Sequence, residues 1–323
     1  MFKSIALTLL ICCAAVTASA QIGMDLSLNR TNYMQYEPIY ACVTLRNDTA
    51  RPLLFGKHPK LQGYILFEVT DQRGNIVPKR PGMELSVRGL VLSPGQIKRM
   101  IVPINRYYQL DRTGVYRVHA YVSHSLLPSE YKTRDLKFNV EPGIQVWKQT
   151  VGVPELNTKE AGNGVSAERT YNIRSITEGA TKAYYLVIED DQKIYSVIRI
   201  GKAVGYERFS VQVDMLSRIH LLMPLSPKVF QYLAFSIDGK PVANEYRKTA
   251  ATIPMLFRNP DTGIVTLVGG ETARAGVDFA DPNAGLVKAA DLLSEDDAAA
   301  TGNPAPPPKA PAAPGLVDLG KDL

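Results

Sequence analysis

The sequence predicts an all-β protein built from two domains in series. Three observations carry this. Apolar and polar residues alternate at a period of two, as in Val115–Val122 and Leu136–Val140. Turn-prone pairs such as Asn47-Asp48, Pro94-Gly95 and Asp238-Gly239 punctuate these runs. The chain has 323 residues, too many for one ordinary small domain.

Residues 1–20, MFKSIALTLLICCAAVTASA, read as an export signal. Lys3 is the basic start, Ile5–Val16 the apolar stretch, and Ala18-Ser19-Ala20 the small-residue cleavage site. An N-terminal membrane anchor is the alternative, but the apolar run falls short of the ~20 residues of a span. A lipoprotein site does not fit, because Ile11 precedes Cys12 where a small residue belongs. Cleavage leaves Gln21 first and Cys42 as the one cysteine of the mature chain. In the strand IYACVTL a buried, inert thiol is expected there.

Residues 21–142 read as a β-sandwich. IGMDLSLNR and PIYACVTLRND are strands separated by Asn32–Tyr36. LQGYILFEVTD and the short GNIVP form a hairpin, and two strands flank Pro94-Gly95. LDRTGVYRVHAYVSH sets Tyr116, Val118, Ala120 and Val122 on one face, and YKTRDLKFNVE reads as an edge strand. Roughly seven to nine short strands with regular turn signals favour two packed sheets. In LDRTGVYRVHAYV a tyrosine enters a strand just after the tight Asp111–Gly114 turn. This arrangement resembles the tyrosine corner of immunoglobulin-like sandwiches.

With TNYMQYEPIYACVTLRND before it and SPGQ between, the order resembles the N-terminal immunoglobulin-like modules of bacterial secreted proteins. It is similar also to macroglobulin-type domains and the bacterial proteinase-inhibitor sandwich. The resemblance covers residues 22–142 and implies a fold: an opener of the type Tyr33…Glu37-Pro38-Ile39 and a late tyrosine strand. It implies no catalytic residue, and the disulfide and core tryptophan of antibody domains are missing.

Residues 143–270 read as a second antiparallel β domain. Tyr184–Glu189 and Lys193–Ile200 flank Asp190-Asp191-Gln192; Phe209–Val213 and Ile219–Met223 flank a turn at Leu216–Arg218. Further turns are expected at Asp238-Gly239 and Asn259–Gly263. A second sandwich is favoured over a partial propeller, whose blades need ~40 residues each. Residues 271–323 form an acidic, proline-rich tail. AGLVKAADLLSEDD has the pattern of a short helix, and 304–314, PAPPPKAPAAP, favours polyproline II.

Composition excludes several classes. With 21% charged and 45% hydrophobic residues the chain is not globally disordered, and three cysteines make no disulfide scaffold. The formal +6 is uneven: residues 21–270 hold 32 Lys+Arg against 22 Asp+Glu, and 271–323 hold 4 against 9. Nucleic acid is not expected as a partner of an exported chain, and no further apolar run crosses a bilayer. Four scattered histidines, no metal-ligand spacing, no nucleophile elbow and no phosphate loop leave no catalytic residues, no metal and no cofactor to name.

Binding chemistry remains. INRYYQLDR sets Arg106, Tyr107, Tyr108 and Arg112 in one loop, and KHPKLQGY offers Lys57, Lys60 and Tyr64. Tyrosine and arginine give large contact area and are enriched at interface hot spots. MLSRIHLLMPLSPKVFQY adds an apolar rim interrupted by Pro224 and Pro227. The function expected is a non-catalytic module of the bacterial envelope: periplasmic, outer-membrane-associated or extracellular. It would serve a surface, pilus or secretion assembly. The alternative is a ligand-binding or protease-inhibitor-type protein taking a glycan or peptide.

Overall fold

A computed structural model describes residues 21–56, 63–85, 87, 89–153, 168–202 and 209–280. The expected leader, tail helix and proline-rich run lie outside the described residues. The fold is all-β, with several antiparallel sheets and one single-turn helix among the described residues. Among them no helix is long and apolar enough to cross a membrane.

The N-terminal half contains β1 (Ile22–Leu28), β2 (Asn32–Met34), β3 (Tyr40–Asn47), β4 (Leu53–Leu54), β5 (Gly63–Asp71), β6 (Val91–Leu92) and β7 (Ile97–Pro103). The helix α1 (Ile104–Tyr107), β8 (Gly114–His124), β9 (Tyr131–Lys132) and β10 (Leu136–Glu141) follow. One sheet has the order β1-β3-β7 and the other β2-β10-β8-β5. Their period-two apolar residues meet in a single core, with Leu26, Val43, Leu45, Val69 and Val118 fully buried. Aromatic rings fix its lower end: Phe138 stacks on Tyr116 at 5.5 Å and takes the edge of Tyr33 at 5.9 Å.

Three expectations change here. Leu136–Val140 is no edge strand; β10 lies between β2 and β8. The cause is Asn32–Met34, read above as a connector. It crosses to the second sheet and pairs with β10 in parallel, and the Asn139 N–H donates to Thr31 O at 2.8 Å. A three-residue strand is too short to show a period. GNIVP makes no strand: Ile76 forms one isolated bridge to Thr70, and the Val77 N–H donates to Val69 O. Cys42 is only half-buried, because its neighbours Ala41 and Val43 take the core face of β3.

The C-terminal half contains β11 (Ile144–Gly152), β12 (Glu168–Glu178), β13 (Thr181–Glu189), β14 (Ile194–Lys202), β15 (Ser210–Val213) and β16 (Ile219–Ser226). It continues with β17 (Val229–Phe235), β18 (Pro241–Lys248), β19 (Met255–Arg258), β20 (Val265–Val268) and β21 (Glu271–Thr272). The meander β11-β12-β13-β14 faces the sheet β15-β16-β17-β18-β21, and β19-β20 forms a separate hairpin. Tyr171, Ile173, Leu186 and Ile188 pack on Ile219, Leu221, Leu233 and Phe235. The hairpin covers the other face of the five-stranded sheet, where Leu256 and Val265 join Leu222, Tyr232 and Ala234.

This layering explains two runs that do not alternate. In β16 Ile219–Pro224 is buried throughout, and in β13 Tyr185–Ile188 is too. A strand reads as continuously apolar when both its faces are covered. The hairpin covers β16. The N-terminal half covers β13: Met34 of β2 packs on Ile176, Ala183 and Tyr185.

Polar groups complete this junction. Arg30, between β1 and β2, donates to the Tyr185 hydroxyl at 2.7 Å and pairs with Glu37 and, at 3.7 Å, with Glu178. Glu178 also holds Arg199 at 2.8 Å and Lys202 at 3.2 Å. Asn32 Nδ2 donates to Thr177 O at 2.9 Å. Glu37 is 4% exposed, and its second oxygen accepts the Met34 N–H at 3.0 Å. Burial lifts the Glu37 carboxyl above its ordinary value, and Arg30 offsets this only in part. Gly143, at the crossing between halves, has φ +71°, and a Cβ there would lie 2.5 Å from Met34 Cε.

Candidate functional site

The loop expected to bind divides in the structure. α1 carries Arg106 exposed and Tyr107 half-buried. Tyr108 turns inward: its hydroxyl donates to Phe67 O, and burial pushes its pKa up to about 12. It is a packing residue that ties α1 to the edge of β5. Arg112 is exposed beyond the next turn, where its carbonyl accepts the Tyr116 hydroxyl at 2.7 Å. Lys57 and Lys60 lie outside the described residues. Tyr64 is the second residue of β5 and is 44% exposed.

Tyr64 and Tyr107 are nevertheless brought together. They line one cleft of about 280 Å³ beside β5. Leu66 lies on its β5 side, the segment before β6 supplies Met83, Leu85 and Val87, and Lys79 stands at its rim. Met83 is 43% exposed. The walls are aromatic and aliphatic with few polar groups, the make-up of a site that orders an apolar or extended ligand. Met83, Leu85 and Val87 alternate with polar residues, the pattern of the strand expected before Pro94-Gly95, but β6 starts only at Val91, and the three apolar side chains line the cleft instead.

A second surface lies on the β19–β20 hairpin. Met255 and Phe257 point away from the core that holds Leu256, and Val268 sits opposite Met255 in register. Their exposures are 56%, 46% and 37%. Met215 joins the tip of the hairpin, where its N–H donates to Gly263 O at 3.1 Å, and it is 57% exposed. A two-stranded layer with one face on a core should carry polar residues outside. This one carries Met255, Phe257 and Val268 outside, with Thr266 opposite Phe257 the polar member of that face. The rim expected from MLSRIHLLMPLSPKVFQY is thus displaced: Ile219–Pro224 is core, and Met215 with Leu216 carries the exposed part.

Buried histidine chemistry was also missed. His220 Nε2 lies 3.2 Å from Asp214 Oδ2 and Nδ1 2.7 Å from the Tyr232 hydroxyl. Asp214 accepts the Leu216 and Arg218 N–H groups at 2.9 Å and Arg218 Nε at 2.6 Å. Burial raises the Asp214 carboxyl, but these donors outweigh it and hold the group below its ordinary value. Burial pushes His220 below its ordinary value. The Asp–His–Tyr line has the order of a proton relay. Its side chains are sealed, with His220 at 4% and Asp214 at 0% exposure, so no substrate atom reaches them. The cluster organises the β15–β16 turn, where Ser217 adopts φ +57°.

His119 and His124 do not converge. His119 faces Asp135 at 3.3 Å on the outer face of β8. His124 turns inward, within hydrogen-bond distance of the Leu54 peptide. Asp190, in the turn between β13 and β14, accepts the Tyr195 hydroxyl at 2.6 Å and the Gln192 and Lys193 N–H groups.

No family model and no curated protein matches the chain. Among solved structures it is similar to a family 123 glycoside hydrolase from Clostridium perfringens, at 12% identity and TM-score 0.26. The match covers 39% of this chain and 28% of the other, and at that level it carries no argument about fold or activity.

Proposed function

We propose that the protein is a non-catalytic, exported interaction module of the bacterial cell envelope, with its contact surface on the β19–β20 hairpin. The observation that carries this reading is the apolar outer face of Met255, Phe257 and Val268, with Met215 beside the tip. Contiguous exposed apolar side chains on a folded module mark protein contacts. The export signal in residues 1–20 supports the envelope setting. An immunoglobulin-like N-terminal domain is supported by two sheets over one core, the parallel β2–β10 pairing, and the Tyr116 hydroxyl donating to Arg112 O.

The test is cross-linking capture of the tagged full-length protein in envelope fractions, beside Phe257→Asp and Met255→Lys. Both side chains are about half exposed, so thermal stability should stay within ~0.5 kcal/mol. One or more envelope proteins should be enriched by the unaltered chain and lost from both variants. Equal capture by all three chains would refute the reading.

A further inference from the structure

We propose that the proline-rich segment 304–314 of this chain folds back and seats in the cleft beside β5. This contact stands apart from the hairpin surface above. Three observations lead to it.

The first is the chemistry of the walls. Tyr64, Tyr107, Met83 and Leu85 flank one cleft of about 280 Å³. Aromatic-lined grooves bind polyproline II because flat rings pack on proline rings and the ligand is already extended, so little conformational entropy is lost. One turn of that helix is three residues and about 9 Å long, so P-x-x-P spacing sets prolines on the same side of successive turns. In this sequence Pro304-Ala305-Pro306-Pro307-Pro308-Lys309-Ala310-Pro311-Ala312-Ala313-Pro314 repeats a P-x-x-P spacing at Pro308–Pro311 and Pro311–Pro314.

The second is reach. The chain between Ala280, the last described residue, and Pro304 spans up to roughly 80 Å when extended. A compact chain of about 250 residues has a radius of gyration near 18 Å. The tether therefore places the segment at any part of the surface.

The third is charge. The tether carries Asp281, Asp291, Glu295, Asp296 and Asp297 against Lys288. At the cleft, Lys79 and Glu84 both line the walls, and Arg106 is exposed one residue before Tyr107. Lys79 and Arg106 offer the acidic tether two cations beside the aromatic walls, against the one carboxylate of Glu84.

A tether of this length gives an effective concentration on the order of 1 mM, so an intrinsic Kd of ~100 µM keeps the segment seated in about nine molecules in ten. The probe is a fluorescent synthetic peptide of residues 301–316, followed by anisotropy. It is titrated into the full mature chain and into a full chain with Pro306, Pro307, Pro308 and Pro311 changed to serine. The peptide should bind the serine variant about tenfold more tightly, because the unaltered cleft is already filled. Adding Tyr64→Lys or Met83→Lys to the serine variant should abolish binding. Both side chains are more than two-fifths exposed, so the fold survives, as circular dichroism would verify. Equal affinity for both chains, no binding to either, or binding unaffected by the two lysine substitutions would overturn the proposal. So would a concentration-dependent dimer of the unaltered chain that the serine substitutions dissociate, since the segment would then occupy a second copy.

Discussion

Arg30→Met tests the junction between the two halves. The substitution keeps most of the side-chain volume and removes the charge that faces Glu37, Glu178 and Tyr185. Side-chain exposure is 20% for Arg30 and 5% for Glu37, so the pair is largely shielded from water. Breaking such a pair from one side costs about 3–5 kcal/mol, because the remaining carboxylate is stranded. The partial exposure of Arg30 places the expected loss near the lower end, about 3 kcal/mol. With a urea m-value of ~3 kcal/mol/M, the midpoint should fall by about 1 M. Trp147, half-buried on β11, reports the C-terminal half by fluorescence, and far-ultraviolet circular dichroism reports both halves. The variant should also split one shared transition into two, since the junction couples the halves.

The pH dependence sharpens the test. Burial already raises the folded-state pKa of Glu37 above its ordinary value, and loss of Arg30 raises it further. Between the unfolded and folded values the folded state holds the extra proton, so stability declines as pH rises through that window. The deficit of Arg30→Met should therefore shrink on acidification, and Glu37→Gln in the same background should recover part of it at pH 7. A loss below ~1 kcal/mol, or a larger loss that neither acid nor Glu37→Gln relieves, would refute the argument from a stranded charge.

Two other expectations concern the core and the crossing. Burial depresses the folded pKa of His220 below 6.5, so the unfolded chain takes up a proton that the folded chain refuses. Stability is then full above about pH 6.5 and falls as pH drops toward the folded value; His220→Gln should flatten that fall by up to ~1.4 kcal/mol per pH unit, measured by urea midpoints between pH 7.5 and 5. Gly143→Ala should destabilise by more than ~1 kcal/mol in the same assay, because φ +71° disfavours a side chain and Met34 Cε already occupies the place of its Cβ; an unchanged midpoint would show that the junction gives way freely.

Much of the strand order was legible locally. Tyr116–Val122 alternates because one face of β8 meets a core and the other water, and the burial pattern follows it except at His119, which is buried on the outer face beside Asp135. The hairpin at Asp238-Gly239 was equally plain, since Gly239 supplies the positive φ of +82° that the turn needs. β2 escaped notice because three residues carry no period, and its loss from the reading misplaced β10 at an edge. The candidate site was half legible. Tyrosine composition drew attention to Tyr64 and Tyr107, but nothing local separated Tyr107 from Tyr108. One lines a cleft and the other is spent on the Phe67 carbonyl.

Taken alone, the residues of this chain determined its all-β character and the positions of most turns, because those depend on backbone φ/ψ preferences and on which of two faces each side chain takes. They also carry the oppositely charged C-terminal segment, 4 Lys+Arg against 9 Asp+Glu in residues 271–323. The tertiary structure decided what the two apolar runs, Tyr185–Ile188 and Ile219–Pro224, are for. A run without alternation states only that both faces are covered. Whether the cover is a hairpin, a second sheet or the other half of the protein depends on contacts between residues far apart in the chain. The pairing of Arg30 with Tyr185, 155 residues away, is of that kind, and so is the meeting of Tyr64 with Tyr107.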